Sequence, residues 1–239
     1  MVLLITGTIS PSNEMKNTVL TNVEDRLNLY IETVNFYITK SPIKKIVFCE
    51  NSNFKTNKFE PLFDNARKQK KQFEYIRFQG NINEANIHGK GYGDGEIIDY
   101  ALEKSVLLKS DNYFIKLTGK RMILNSNSFF KKIDENRAYF NRLSLKDSKM
   151  IDAALYACPI GFYKENFGKA YLNLSDDIGY WAENKYAEII INNKLKTYNF
   201  PVFPRIEGVS GSCGSQIKNT LFKFLIKNFL SKFNLYNIR

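Results

Sequence analysis

Short apolar runs alternate with helix-patterned stretches along the first half of the chain, and this alternation restricts the fold more than any other feature. The apolar runs cover residues 2–5, 43–49, 73–78 and 113–117. The first helical stretch repeats apolar side chains every three or four positions, at Val19, Val23, Leu27, Tyr30, Val34 and Tyr37. Strands joined through helices lie parallel in one sheet, with helices on both faces. We therefore expect a doubly wound α/β fold.

The second half of the chain is less regular. Two strands are expected at residues 138–143 and 151–157, followed by a helix at 178–191. Residues 200–216 are rich in Pro, Gly and Ser, which predicts a loop. We expect one domain over residues 1–216 and a separate helix over 217–239.

This terminal helix is basic and amphipathic. Its apolar stripe consists of Leu221, Phe222, Leu225, Ile226, Phe229, Leu230 and Phe233. Its charges are Lys218, Lys223, Lys227 and Lys232, with no acidic residue among them. Such a helix either lies in an anionic membrane interface or packs its stripe against the domain or a second subunit.

The composition points to an anionic partner. The 239 residues include 35 Lys and Arg against 24 Asp and Glu, a formal net charge of +11. This excess favours nucleic acid, anionic lipid or a phosphorylated small molecule. Cys49, Cys158 and Cys213 are far apart and predict a reduced cytosolic protein. The first residues lack a signal-peptide pattern, and no apolar stretch approaches the ~20 residues of a membrane span, so a soluble or peripheral protein is expected.

A glycine-rich segment, Gly-Lys-Gly-Tyr-Gly-Asp-Gly at residues 89–95, stands between a predicted strand and a predicted helix. It does not match the dinucleotide pattern, because Asp94 stands where the third glycine would fall. We expect a loop that presents backbone amides and Lys90 to an anion, with Asp94 capping the next helix. Its glycines Gly89, Gly91 and Gly93 would let a ligand approach closely. The alternative is a turn that only carries the chain across the sheet.

Cations gather at the end of the fourth predicted strand. Lys116, Lys120 and Arg121 surround Thr118 and Gly119. At the carboxyl edge of a sheet these side chains would neutralise a departing phosphate or diphosphate without a metal ion. A solvated basic surface is the alternative.

Three carboxylates are candidates for acid–base chemistry. Asp176 and Asp177 precede the predicted helix at 178–191, and Glu183 lies within it. One of them would deprotonate an acceptor hydroxyl, or they cap the helix and carry surface charge. His88 is the single histidine, and we expect it to be exposed or to contact substrate rather than act as a base.

The order of these motifs resembles a GT-A type glycosyltransferase of bacterial surface-polysaccharide synthesis. The resemblance rests on the Thr-Gly-Thr loop after the first strand, VFCENSN, HGKGYGDGEIIDYAL and YFIKLTGKRMILN. It implies a Rossmann-like catalytic domain in which Thr6, Gly7, Thr8, Glu50 and Asn51 surround the base and ribose of a nucleotide-sugar donor. It also implies that Arg205 and Ser210, in a loop closing over the donor, contact its phosphates.

The chain departs from this family at its metal motif. GT-A enzymes usually carry Asp-x-Asp at the end of the fourth strand, where this chain reads Lys-Leu-Thr-Gly-Lys. The chain is similar to the metal-independent minority, so we expect no metal ion or other cofactor. The resemblance further implies a lipid-linked or oligosaccharide acceptor, and a cytoplasmic location, free or at the inner face of the membrane.

A nucleic-acid-binding or nucleic-acid-modifying protein is the alternative. The net charge of +11, the 14 Tyr and the 19 Phe favour it, since aromatic rings stack on bases. No helix-turn-helix, RRM or zinc motif accompanies them, and the aromatic residues fall largely at apolar periodic positions. We therefore expect the partner to be a sugar donor and not nucleic acid.

Overall fold

A mixed six-stranded sheet forms the centre of the protein. The computed structural model describes residues 1–12, 19–142, 149–210, 214–218, 220–233 and 235. The sheet consists of β1 (Val2–Gly7), β2 (Lys45–Glu50), β3 (Gln72–Arg77), β4 (Tyr113–Thr118), β6 (Tyr139–Arg142) and β7 (Ile151–Pro159), in the order β3-β2-β1-β4-β7-β6. The first four strands are parallel, whereas β7 and β6 run antiparallel. The predicted α/β class is confirmed.

Helices cover both faces of this sheet. They are α1 (Val23–Lys40), α2 (Glu60–Lys68), α3 (Ile82–His88), α4 (Lys90–Lys104), α5 (Val106–Lys109), α6 (Ser126–Phe130), α7 (Ile160–Asn166), α8 (Ala182–Asn192) and α9 (Leu221–Lys232), with a 3-10 helix at Ala170–Asn173. Leu3 and Ile5 of β1 pack towards α1, and Val2 and Leu4 pack towards α4. Because both faces of β1 are buried, its sequence is continuously apolar.

Most residues predicted to pack in the core are buried, but Val19 precedes α1 and is 64% exposed. Cys49 and Cys158 are free thiols inside the protein, and burial raises the pKa of both. Cys213 lies outside the described residues. Many of the aromatic residues are also in the core, where they are not accessible to nucleic-acid bases; Tyr30, Tyr37 and Phe48 are examples.

The glycine-rich segment is helical, which corrects the prediction of a loop. Helix α4 begins at Lys90, and its N-cap is Gly89, whose φ of 90° is unfavourable for other residues. Asp94 lies inside the helix and does not cap it. A Cβ atom at Gly95 would overlap Tyr171 of the 3-10 helix. Glycine therefore allows the two helices to approach each other closely.

We expect Gly95→Ala to destabilise the protein by about 2 kcal/mol, because overpacking against Tyr171 outweighs the better helix propensity of alanine. The midpoint of thermal unfolding should fall by roughly 5 °C. Gly161→Ala is the matched control, because a Cβ at this helical position meets no atom within 4 Å. Equal stabilities of the two variants would contradict the packing role of Gly95.

Two further expectations need correction. Helix α8 begins at Ala182 with Trp181 as its N-cap, so Asp177 is not the cap. The segment predicted as a loop contains β8 (Ile206–Val209), which pairs with β5 (Arg121–Ile123) and with β9 (Gln216–Lys218) in a small antiparallel sheet. Residues 211–213 of that segment lie outside the described part. Strand β9 spans the predicted boundary at residue 216, and the division of the chain there remains a prediction.

Helix α9 contacts the domain through its polar side. The amide of Phe203 donates to Asn228 Oδ1 at 3.0 Å, and Ser231 Oγ donates to the carbonyl of Phe200 at 3.4 Å. Ser231 is buried, whereas most of the predicted apolar stripe is exposed. Within the described residues, no helix combines the length and apolar character needed to cross a membrane.

Candidate active site

A cavity of about 1040 Å³ opens at the carboxyl edge of the parallel strands. In open α/β sheets this edge is the usual place for a ligand. Most of the predicted site residues line it: Thr6, Gly7, Thr8, Asn51, Lys90, Gly91, Gly93, Thr118, Lys120, Arg121, Asp176, Glu183 and Ser210. Glu50, Gly89, Lys116, Asp177 and Arg205 are not among the lining residues.

An ion pair joins α4 to β4 at the floor of the cavity, where Asp94 is a lining residue and Lys116 is buried behind it. Lys116 Nζ donates to Asp94 Oδ2, to Thr118 Oγ1 at 2.8 Å and to the carbonyl of Ala153 at 2.8 Å. Asp94 Oδ1 accepts from Thr6 Oγ1 at 2.6 Å. The three N–H groups of Lys116 therefore have acceptors inside the protein, so Lys116 positions the site and has no proton left for a phosphate.

Loops after β1 and β2 are held together beside this floor. Thr8 Oγ1 donates to Asn51 Oδ1 at 2.6 Å, and Arg26 Nε donates to the carbonyl of Thr8 at 2.7 Å. Arg26 Nη1 also donates to the carbonyl of Leu20 at 2.8 Å. The buried guanidinium of Arg26 thus fixes the first loop while adding positive charge to the cavity wall.

Glu50 is buried behind the loop that follows β2 and does not line the cavity. Its carboxylate accepts from the amides of Ser52 and Phe54, both at 2.8 Å. Burial raises the pKa of Glu50, and these hydrogen bonds oppose that shift. The residue therefore holds the loop that presents Asn51.

Lys120 is the most unusual residue in the cavity. Its side chain is only 5% exposed, and its Nζ makes neither a hydrogen bond nor an ion pair with any described residue. The Nζ atom lies 5.6 Å from the centroid of the Tyr30 ring. Burial, followed by repulsion from Arg26, Lys90 and Arg121, lowers the pKa of Lys120 to about 7. A buried cation without a counterion is costly, so an anion bound here would relieve that cost.

The backbone holds Lys120 in this position. Its φ of 66° is in the left-handed region, which is uncommon for lysine. The carbonyl of Lys120 accepts from the amide of Val209 at 3.1 Å, and the preceding Gly119 donates to the carbonyl of Thr6 at 2.8 Å. Close packing against β8 and β1 thus stabilises a conformation that a free chain would avoid.

The three candidate carboxylates differ in position. Glu183, in the first turn of α8, lines the cavity, and burial raises its pKa, with Asp152 adding to the shift and Lys116 opposing it. Asp176 also lines the cavity and accepts from the amide of Lys90 at 3.4 Å, so it occupies the N-terminus of α4. Asp177 is exposed. Glu183 is therefore the best-placed base of the three.

Two other residues singled out from the sequence, His88 and Arg205, form hydrogen bonds within the protein. His88 Nδ1 donates to the carbonyl of Leu174 at 2.7 Å, and Nε2 lies 3.2 Å from Glu84 Oε2. The amide of Arg205 donates to Asn125 Oδ1 at 2.8 Å near the start of β8. Neither residue lines the cavity.

Arg26 and Trp181 also line the cavity but were not among the residues predicted from the sequence. Arg26 lies three residues after Val23 and four before Tyr30, on the inward face of α1. A charged residue on that apolar face is the sequence feature that could have predicted its place in the site. Trp181 is the single tryptophan and is 43% exposed. Its exposed indole ring adds an aromatic surface to the cavity lining, two residues before Glu183 in the chain.

Among the described residues, no group of three or more His, Cys, Asp or Glu side chains is arranged to hold a metal ion. Independence from metal nevertheless remains a prediction.

No protein-family model matches the chain, and no curated protein sequence matches it. Comparison with solved structures gives weak matches at low sequence identity. A nucleoside-diphosphate-sugar pyrophosphorylase from Vibrio cholerae RC9 has 12% identity over 83% of this chain and 91% of its own, with a TM-score of 0.46. A protein assigned as a glucose-1-phosphate thymidylyltransferase from Bacillus anthracis has 12% identity over 97% and 94%, with a TM-score of 0.45. A cytidylyltransferase from Leptospira borgpetersenii has 11% identity over 100% and 97%, with a TM-score of 0.39. Similarity at this level carries no information about activity.

Proposed function

We propose that the protein is a glycosyltransferase that moves a sugar from a nucleotide-activated or otherwise phosphate-activated donor to a surface-glycan acceptor, without a resident metal ion. The observation that carries this proposal is Lys120, a buried cation with no hydrogen-bonded or ionic partner among the described residues, beside Arg26, Lys90 and Arg121 in one cavity. A diphosphate would supply the counterion that Lys120 does not have among the described residues.

We expect the donor to bind in the orientation that brings its diphosphate to the cationic side chains. Its diphosphate would lie at Lys120 and Arg121, and its nucleoside would lie along the loops that present Thr8 and Asn51. Arg121 Nη1 is 3.9 Å from Asp152 Oδ1, a loose pairing that a phosphate can replace. Cations that are partly withdrawn from solvent, such as Lys120, interact with phosphate more strongly than they would in water.

The chemical step is a displacement at the anomeric carbon. The acceptor hydroxyl oxygen forms the new bond to that carbon while the bond from the carbon to the phosphate oxygen breaks. The proton of the hydroxyl passes to the Glu183 carboxylate, and the departing phosphate takes the electron pair. Lys120 stabilises the charge that develops on the leaving group.

Trp181 supports an acceptor side next to Glu183. Its exposed ring lies on the cavity lining, and sugar rings present apolar faces that pack on aromatic surfaces. Because the chain contains one tryptophan, fluorescence excited at wavelengths that tyrosine does not absorb reports this wall. We expect oligosaccharide acceptors to change that fluorescence in the presence of a nucleoside diphosphate.

The proposal is tested by incubating the protein with UDP-, GDP- and CMP-linked sugars and oligosaccharide acceptors, with and without excess chelator. Release of free nucleotide together with an extended glycan, at the same rate in chelator, is the expected result. Complete dependence on added manganese would overturn the metal-free part. Formation of diphosphate from a nucleoside triphosphate and a sugar phosphate would instead identify nucleotidyl transfer.

Diphosphate binding should be accompanied by proton uptake. At pH 8 a group with a pKa of about 7 is mostly neutral, and a bound anion raises that pKa, so Lys120 should take up close to one proton. Calorimetry of UDP binding in buffers of different ionisation enthalpy measures this number. Lys120→Arg is the control, because arginine stays charged in both states and should show about one proton less. Equal uptake by both proteins would exclude Lys120 as the phosphate ligand.

A further inference from the structure

The exposed side of α9 forms a continuous apolar surface. Leu221, Phe222, Leu225, Ile226, Phe229 and Phe233 are exposed on this helix, with 73% of Phe222 and 60% of Phe229 accessible. They recur at three- and four-residue spacing and therefore lie along one face. We call these six residues the α9 apolar face. An exposed apolar surface of this kind marks an interaction site.

The orientation of the helix is set by its polar contacts. Asn228 and Ser231 hydrogen-bond to the backbone of residues 200–203, and Lys227 Nζ lies 5.4 Å from the centroid of the Phe203 ring. An amphipathic helix that packs on a domain ordinarily turns its apolar side towards the protein core. Here the domain binds the polar side, so the α9 apolar face is directed outwards.

We propose that this face binds the surface of an anionic lipid bilayer. Lys223 and Lys232 are exposed on the same helix, and residues 216–239 contain no Asp or Glu. A helix with this pattern lies flat in the headgroup region, where lysines contact lipid phosphates and apolar side chains enter the acyl boundary. This inference does not depend on the proposed function.

A second copy of the chain is a poorer occupant of the same face. Two helices joined through their apolar faces would bring their lysines together without any acidic side chain between them. The net charge of +11 adds repulsion between whole molecules. The positive charge therefore favours an anionic surface over a second basic protein.

Co-sedimentation of the full chain with vesicles tests the proposal. Vesicles of phosphatidylcholine alone should bind the chain weakly. Vesicles in which phosphatidylglycerol replaces part of the phosphatidylcholine should bind the chain well at low salt and less at high salt. The double variant Phe222→Ser/Phe229→Ser should bind anionic vesicles at least about 100-fold more weakly. Lys223→Gln/Lys232→Gln should lower binding by roughly 10-fold.

Val106→Ser is the matched control, because Val106 is an equally exposed apolar residue on α5, outside the α9 apolar face. It should bind vesicles as the unaltered chain does. Thermal unfolding measured for every variant separates lost binding from lost folding. Sedimentation velocity, measured in parallel, tests whether a second copy of the chain covers the α9 apolar face instead. A concentration-dependent dimer abolished by Phe222→Ser/Phe229→Ser would overturn the proposal, as would a failure to bind anionic vesicles.

Discussion

Replacing Lys120 with methionine should lower turnover by at least about 100-fold and weaken UDP binding, while raising the thermal stability of the protein. The two effects have one cause, because the variant removes a buried cation that has neither a hydrogen bond nor an ion pair with the described residues. Without a ligand, the charge of Lys120 lowers the stability of the folded protein. When a diphosphate binds, the same charge attracts its phosphates. Thermal unfolding with and without UDP, and steady-state kinetics, measure both effects.

The stability gain should also depend on pH. Because the pKa of Lys120 in the folded protein is lowered to about 7, the folded state binds fewer protons than the unfolded state above that pH. The cost of Lys120 is therefore largest below pH 7 and decreases as the pH rises towards the ordinary pKa of lysine. The difference in unfolding midpoint between Lys120→Met and the unaltered chain should shrink over this range.

Lys71→Met is the matched control for Lys120→Met. Burial also lowers the pKa of Lys71, to about 8, but its Nζ donates to the carbonyls of Tyr37 at 2.9 Å and Ser41 at 2.6 Å. Losing these bonds should destabilise the protein and leave UDP binding unchanged. If Lys120→Met behaves like Lys71→Met, Lys120 is a structural residue and the phosphate site lies elsewhere.

Glu183→Gln should lower kcat by at least about 100-fold with little change in the affinity for donor, because glutamine cannot accept the acceptor proton. In the unaltered chain, kcat/KM of the proposed reaction should rise with pH as Glu183 loses its proton. Burial raises the pKa of this carboxylate, so the rise should occur above the usual range for glutamate. Single-turnover kinetics with preformed donor complex separates this chemical step from binding.

Asp177→Asn provides the comparison for Glu183→Gln. Asp177 precedes the same helix but is exposed and does not line the cavity. We expect near-normal turnover from this variant. A large loss in Asp177→Asn, with near-normal turnover in Glu183→Gln, would assign the base to Asp177 instead.

The strands and the first helices follow from local sequence patterns. Continuous apolar runs such as residues 2–5 predict strands buried on both faces, and the periodicity around Leu27 and Tyr30 predicts the helix that covers them. The glycine-rich segment was predicted incorrectly, because glycine frequency indicates a loop unless a close helix contact is known. That contact, between Gly95 and Tyr171, joins residues 76 positions apart in the chain.

The sequence by itself determined the α/β sheet and the carboxyl-edge position of the candidate site, and most of the site residues predicted from it line the cavity, because each depends on local periodicity and on strand ends. Only the tertiary structure decided which charges are available to a ligand. Lys116 and Lys120 are four residues apart and looked equivalent, yet Asp94 neutralises the first while the second remains without an ionic partner among the described residues. Charge pairing depends on distances between elements that no local pattern encodes. For the same reason, only the fold placed the polar side of α9 against the domain and its apolar side outwards.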